Sequence, residues 1–124
     1  MEAKQKKQLD LLTAIEQIVE KAKDSKLSPE FYRKASRYIK YVSDKLDLTK
    51  EQSVMLALFM NQSDDDNIRL YQLSNYVQCP TVRILRYMNE INELEKRELI
   101  RCYRHKNGCR RNLYYRVPFD VIDD

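Results

Sequence analysis

The sequence predicts a mainly helical fold that ends in an antiparallel hairpin, and three observations carry this prediction. Apolar residues recur at helical spacing through most of the chain as far as Glu98. Within that part, a short apolar segment, the tight break Cys79-Pro80-Thr81 and a longer apolar segment follow one another as in a helix-turn-helix. Asn107-Gly108, a strong hairpin signal, then lies between two alternating stretches. Together they predict a mainly α winged helix-turn-helix: an α bundle plus a two- or three-stranded antiparallel wing, with extra N-terminal helices.

Residues 1–47 are predicted to form an N-terminal extension of two helices. The first is expected over residues 3–24, where Leu12, Ile15 and Val19 share one face. Ser28 and Pro29 suit the N-cap and the first position of a second helix, which we expect to continue to about residue 46. The winged-helix domain would then occupy residues 48–124, and we expect the two parts to form one compact unit.

Three more helices are expected before the hairpin. Thr49 and Gln52 form a capping-box pattern ahead of an apolar and therefore central helix. A polar turn follows at residues 61–67; its acidic run lacks the glycine and glutamate of a calcium loop. Residues 68–70 could form a very short strand, residues 71–78 a short helix, and residues 80–98 a long recognition helix. In that helix the inward residues are predicted to be Ile84, Leu85, Met88 and Ile91, and the outward ones Arg83, Arg86, Tyr87, Glu90, Glu93 and Arg97.

The hairpin is expected to pair residues 99–105 with residues 110–117. A two-residue turn at Asn107-Gly108 would place Cys102 opposite Leu113 and Ile100 opposite Tyr115. This register also brings the apolar residues of the two strands onto one face. Turn chemistry and alternation therefore predict the same pairing.

The composition excludes several classes of function. The chain has 124 residues, a net charge of +4 and a single glycine, Gly108. Loops of the GxxxxGK[ST] or GxGxxG type need two glycines, so no nucleotide cofactor is expected. One histidine leaves no Ser-His-Asp set, and no catalytic residue is assigned. The absence of a long apolar run and of a signal-peptide core predicts a cytoplasmic protein with no membrane partner, and three cysteines fit reduced thiols.

Cys102, His105 and Cys109 have a spacing that invites a zinc interpretation. The predicted hairpin register puts Cys102 and His105 on opposite faces. A fourth ligand is missing unless Cys79 reaches across. We therefore predict no metal site, with Cys102 as a small core residue.

The distribution of basic residues makes nucleic-acid binding the leading hypothesis. Residues 101–116 contain six lysines and arginines and no acid, interleaved with hydroxyl and amide donors that suit a phosphate backbone. The start of the predicted recognition helix, the end that would read bases, is also basic, whereas its second half carries glutamates that would repel phosphates. Such glutamates could instead pair along the helix, as Glu93 with Arg97. The candidate nucleic-acid-binding residues are Thr81, Arg83, Arg86, Tyr87, Arg101, Arg104, Lys106, Arg110 and Arg111.

Three stretches resemble the region that precedes the ATPase module in a group of Bacteroidetes-type AAA ATPases: YVSDKLDLTKEQSVMLALFM, YVQCPTVRILRYMNEINELEKRELIRC and YYRVPFDVI. The resemblance covers about residues 41–122. It implies the N-terminal winged-helix domain of such a protein, with ATPase activity only in a longer parent, and it assigns no catalytic residue here. Two roles stay open: binding duplex DNA to target the ATPase, or docking on the ATPase module or another protein for interaction or autoregulation.

Overall fold

The structure, a computed structural model, describes residues 10–62, 68–104 and 113–118; the side chains of residues 104, 113 and 114 are outside the description. This part of the chain is mainly helical, with a small two-stranded antiparallel sheet. Its elements are α1 (Leu11–Ala22), α2 (Pro29–Lys34), α3 (Ser36–Leu46), α4 (Lys50–Asn61), α5 (Leu70–Val77), α6 (Thr81–Leu85), α7 (Met88–Lys96), β1 (Arg101–Arg104) and β2 (Leu113–Arg116).

The first helix begins later than the sequence predicts. Asp10 accepts a hydrogen bond from the backbone N–H of Thr13 at 2.8 Å and is the N-cap of α1. The cap satisfies a donor that has no partner within the helix, and Asp10 is extended, so α1 begins at Leu11. The predicted start lies in residues 1–9, outside the described residues. The same hydrogen bond from Thr13 lowers the pKa of Asp10.

The second predicted helix is two helices, α2 and α3, which meet at Ala35. The predicted start is confirmed: Pro29 occupies the first turn, and Ser28 Oγ accepts from the N–H of Phe31 at 3.3 Å. Ala35 then leaves helical geometry, with φ −95° and ψ 4°. Phe31 and Ile39, on either side of this bend, are both buried. The bend therefore lets α2 and α3 each place an apolar face in the same core.

Helix α4 forms the centre of the core, as predicted. Thr49 and Gln52 make the reciprocal capping-box hydrogen bonds, both at 3.1 Å. Residues 52–59 are all buried, and the helix packs against α1, α3 and α7. A helix surrounded by other elements needs apolar residues on every side, which explains why this segment lacks the polar face of the other helices.

The predicted short strand is reduced to a single residue. Ile68 exchanges backbone hydrogen bonds with Tyr115, its N–H donating at 2.9 Å and its carbonyl accepting at 2.7 Å. Leu70 already belongs to α5, so the predicted strand at residues 68–70 is wrong beyond this bridge. Gln72 Oε1 accepts from the N–H of Arg69 at 2.8 Å and satisfies a free donor at the start of α5.

The predicted recognition helix is interrupted at Arg86 and Tyr87, between α6 and α7. Both N–H groups bond to the carbonyl three residues earlier, at 3.1 and 2.8 Å, which tightens the turn. The interruption changes which side chains face inward. Leu85, predicted to be buried, is 49% exposed, whereas Tyr87, predicted to face solvent, is half-buried. Ile84 and Ile91 are buried as predicted.

The two strands pair in a register that differs from the prediction by two residues. Cys102 lies opposite Tyr115, and not opposite Leu113 as the Asn107-Gly108 turn predicts. Because the difference is an even number, Cys102 and Tyr115 still share the predicted face. The predicted turn itself lies outside the described residues.

The burial of Tyr115 accounts for this register. Its ring packs against Phe59 of α4 with centroids 5.1 Å apart, and its backbone forms the bridge with Ile68. Phe59 and Ile68 both precede the hairpin in the chain, and their contacts with Tyr115 fix the position of β2. The register therefore follows the contacts of a large buried aromatic ring, which the local turn chemistry does not include.

Candidate nucleic-acid interface

Helix α5, a tight turn and helix α6 form the first part of the candidate interface. Ser74 holds the turn, because its carbonyl accepts from the N–H groups of Gln78 and, at 3.1 Å, Cys79. Gln78 is left-handed, with φ 63°, which ends α5, and Pro80 is the extended N-cap of α6, which begins at Thr81 rather than at residue 80 as predicted. The Ser74 hydroxyl also lies 3.2 Å from the hydroxyl of Thr81, so this candidate residue helps to close the turn while remaining exposed.

Two candidate residues of the predicted recognition helix contact the N-terminal extension. Arg83 Nη1 donates to the carbonyl of Lys26 at 3.1 Å. The hydroxyls of Tyr87 and Tyr32 lie 2.7 Å apart, and burial raises the pKa of Tyr87. Arg83 remains exposed and keeps its other guanidinium donors, but the hydroxyl of Tyr87 is directed into the protein.

The outer face of α6 also carries two apolar residues that are not among the candidates predicted from the sequence. Val82 is 67% exposed and Leu85 is 49% exposed, one helical turn apart. Arg86 follows, also exposed. If the sequence had predicted a helix that ends at residue 85, Val82 and Leu85 would both have been expected on its outer face. The continuous helix predicted over residues 80–98 places Leu85 on the inward face, so this exposed apolar pair was not expected.

The strand pair brings together two arginines from the two ends of the predicted wing. Arg101 of β1 lies directly opposite Arg116 of β2, and both are exposed. The guanidinium of Arg116 also lies 5.7 Å from the ring centroid of Tyr103, which is two residues after Arg101 on β1. Within the described ranges, neither arginine forms an ion pair. Arg116 belongs to the basic segment of residues 101–116, but it is not among the contact residues that the sequence predicts.

The remaining candidate residues have no described side chain. Arg104 ends β1, and its side chain is outside the description, while Lys106, Arg110 and Arg111 lie in the undescribed residues 105–112.

The zinc-like spacing is only partly described. His105 and Cys109, two of its members, also lie in the undescribed residues 105–112. The described residues contain no group of three possible metal ligands. Burial raises the pKa of Cys79, so its thiol is protonated at neutral pH.

Two of the three glutamates of α7 form contacts within the protein. Glu90 accepts from Gln52 Nε2 at 3.1 Å, which links α7 to the central helix. Glu93 pairs with Lys96 at 3.5 Å, so the expected pairing with Arg97 is wrong. The reason is that Arg97 donates to two backbone carbonyls at the end of α3.

Comparisons of the chain with protein-family models, with curated proteins and with solved structures found no match. Among the helices that the structure describes, none combines the length and the apolar character that crossing a bilayer requires.

Proposed function

We propose that residues 48–124 are a winged-helix module that binds duplex DNA and performs no catalysis. The order of elements supports this: a helix (α4), a one-residue bridge at Ile68, a helix (α5), a tight turn, the α6–α7 segment, and two antiparallel strands. The bridge between Ile68 and Tyr115 corresponds to the third strand position of a wing. The resemblance to regions that precede AAA ATPase modules supports a further part of the proposal, namely that the module targets such an ATPase within a longer protein.

The pairing of Arg101 with Arg116 carries this proposal. Like charges directly opposite each other in a sheet destabilise it, and in the described part of the chain no acid forms an ion pair with either guanidinium. Glu95 and Glu98 line the same groove as Arg101 without pairing with it. A phosphate backbone would neutralise both cations. The opposed arginines lower the stability of the free protein, and a bound polyanion would remove their repulsion. This behaviour is typical of a pair of residues that forms a binding surface.

The test is to reverse one of these charges. Replacing Arg101 by glutamate creates an opposite-charge pair with Arg116, so we expect an unfolding free energy higher by about 0.2–1 kcal/mol. Binding to a labelled duplex should weaken, and the slope of log affinity against log salt should become shallower by about one. Arg37→Glu on α3 makes the same change in net charge away from the sheet. If both variants bind DNA equally, the proposal for the strand pair fails.

A second candidate function, docking on a protein, is favoured by the exposed pair Val82 and Leu85. Apolar side chains on the outer face of α6 suit a partner protein better than a phosphate backbone. The salt dependence of the binding affinity distinguishes the two functions. Phosphate contacts weaken steeply as the salt concentration rises, whereas apolar contacts do not. If the intact chain binds no duplex at low ionic strength, and Val82→Ser with Leu85→Ser abolishes a salt-resistant interaction with the ATPase module, the protein-docking function replaces DNA binding.

A further inference from the structure

The loop between α1 and α2, residues 23–28, lies against the end of α5. The N–H of Asp24 donates to the carbonyl of Tyr76 at 3.1 Å, and the N–H of Lys26 donates to the carbonyl of Val77 at 2.7 Å. These carbonyls belong to the last turn of α5, where a helix lacks its own donors. A segment about fifty residues earlier in the chain therefore caps α5, immediately before the turn that leads into α6.

The backbone of this loop is held in a conformation that ordinary residues avoid. Asp24, Lys26 and Leu27 have φ values of 59°, 61° and 51°, in the left-handed region. The side chain of Leu27 is buried, and its N–H donates to Ser25 Oγ at 3.0 Å. Such a backbone persists only when its surroundings hold it in place, so the loop has a defined position beside the α5–α6 turn.

This position places positive charge beside the start of α6. The side chains of Lys23 and Lys26 are both exposed. Arg83 donates to the carbonyl of Lys26, so its guanidinium is adjacent to the loop, and Arg86 follows at the end of α6. Asp24 is the acid of the loop. Glu20 of α1 is also close, since its charge and that of Asp24 both help to raise the pKa of Tyr76. Three cations against two carboxylates leave this corner of the molecule positive before Arg86 is counted.

A polar groove continues from the loop along α5. It has a volume of about 400 Å³ and contains Lys23 together with four side-chain amides and one carboxylate. Gln72 Nε2 donates to Gln62 Oε1 at 3.3 Å and Gln78 Nε2 donates to the carbonyl of Asn75 at 2.9 Å, so Lys23 is the donor of this groove that we expect at a phosphate oxygen. The lining residues are Lys23, Asp24, Gln62, Gln72, Asn75, Tyr76 and Gln78.

We propose that residues 23–28 form a second DNA-binding element, in which Lys23 and Lys26 contact backbone phosphates next to the duplex segment that α6 faces. The N-terminal helices then do more than support the fold, because they extend the binding surface beyond the residues of the winged-helix module. This inference rests on the proposed function, since it requires that α6 faces DNA.

The test measures duplex binding by the full chain after the two charges are removed. Lys23→Gln with Lys26→Gly is the first variant, because glycine readily adopts the left-handed φ of position 26. Each lost phosphate contact removes about one released counterion. A fourfold increase in salt should therefore reduce the affinity of the variant about tenfold less than that of the unchanged chain. Lys23→Gln with Lys26→Gln removes the same charges by side-chain changes alone and should behave in the same way.

The matched control is Lys40→Gln with Lys45→Gln on α3, which also removes two exposed positive charges. We expect this control to retain the salt dependence of the unchanged chain. If the loop variants bind like the control while the unchanged chain binds DNA in a salt-dependent way, the loop inference is overturned and the proposed function stands. If the unchanged chain shows no salt-dependent binding, the proposed function fails and the inference fails with it.

Discussion

The hydroxyl oxygens of Tyr32 and Tyr87 lie 2.7 Å apart, which joins α2 to the turn between α6 and α7. The two residues are separated by 55 positions in the sequence. The Lys50 ammonium lies 5.6 Å from the Tyr32 ring centroid, so the pair is also close to the start of α4. Through this contact, a residue of the N-terminal extension helps to position the segment that interrupts the predicted recognition helix.

We expect this hydroxyl pair to stabilise the fold by a measurable coupling. In a double-mutant cycle of Tyr32→Phe and Tyr87→Phe, the coupling energy from urea denaturation should be about 0.5–1 kcal/mol, the lower part of the usual range because both residues are only half-buried. Tyr71→Phe is the control, since Tyr71 is 56% exposed, and it should change stability by less than about 0.5 kcal/mol. Additive effects of the two substitutions would contradict the expected coupling.

The same pair makes stability depend on alkaline pH. Burial raises the pKa of Tyr32, assisted by the hydrogen bond to Tyr87, and burial also raises the pKa of Tyr87. A pKa that is higher in the folded state means that the native protein retains protons that the unfolded chain loses. This stabilisation is fully present below the unfolded pKa of about 10 and decreases as the pH rises toward the folded pKa.

The measurement is the unfolding free energy from neutral pH to about pH 11. The chain should lose stability over the alkaline part of this range, and the variant with Tyr32→Phe and Tyr87→Phe should lose less. Tyr76, whose pKa burial also raises, remains in both proteins and accounts for some residual slope. Parallel curves for the two proteins would show that the tyrosine pair is not the source of the dependence.

Arg97 caps α3 from the end of α7. Its Nη2 donates to the carbonyl of Leu46 at 2.7 Å, and its Nη1 donates to the carbonyl of Asp47. Both carbonyls lie where the helix has no donors of its own, and the fork of a guanidinium can reach two acceptors together. Arg97→Ala should lower the unfolding free energy by about 1 kcal/mol. This loss is smaller than for a buried charged donor, because the side chain of Arg97 is exposed.

Arg97→Lys should recover only part of this loss, because a single ammonium group does not present the same two-pronged geometry. Arg86→Ala is the matched control, since Arg86 is exposed and its side chain forms no hydrogen bond or ion pair in the described part of the chain. It should change stability by less than about 0.5 kcal/mol. Equal effects of alanine at positions 86 and 97, measured by urea denaturation, would contradict the capping role.

Local patterns predicted the features that depend on neighbouring residues. The caps at Ser28 and Thr49 form as expected, because the donors that they satisfy are three residues away. The apolar character of α4 correctly indicated the centre of the core. The shared face of Cys102 and Tyr115 also follows from alternation alone.

Features that depend on distant residues were not predictable in the same way. The breaks at Ala35 and at Arg86-Tyr87 carry neither glycine nor proline, so no local signal marks them. The partner of Arg83 is a backbone carbonyl 57 residues away. A helical wheel therefore shows which residues can point outward, but not which of those the N-terminal extension will contact.

The sequence by itself determined where α2 and α4 begin, which helix is central, and, through its single glycine, that no GxxxxGK[ST] or GxGxxG loop can form. Tertiary structure decided where the helices break, which register the strands adopt and which cations remain exposed. The physical reason is one of range. Capping and periodicity act over a few residues, whereas the packing of Tyr115 on Phe59 and the hydrogen bond between Tyr32 and Tyr87 exist only after distant segments meet.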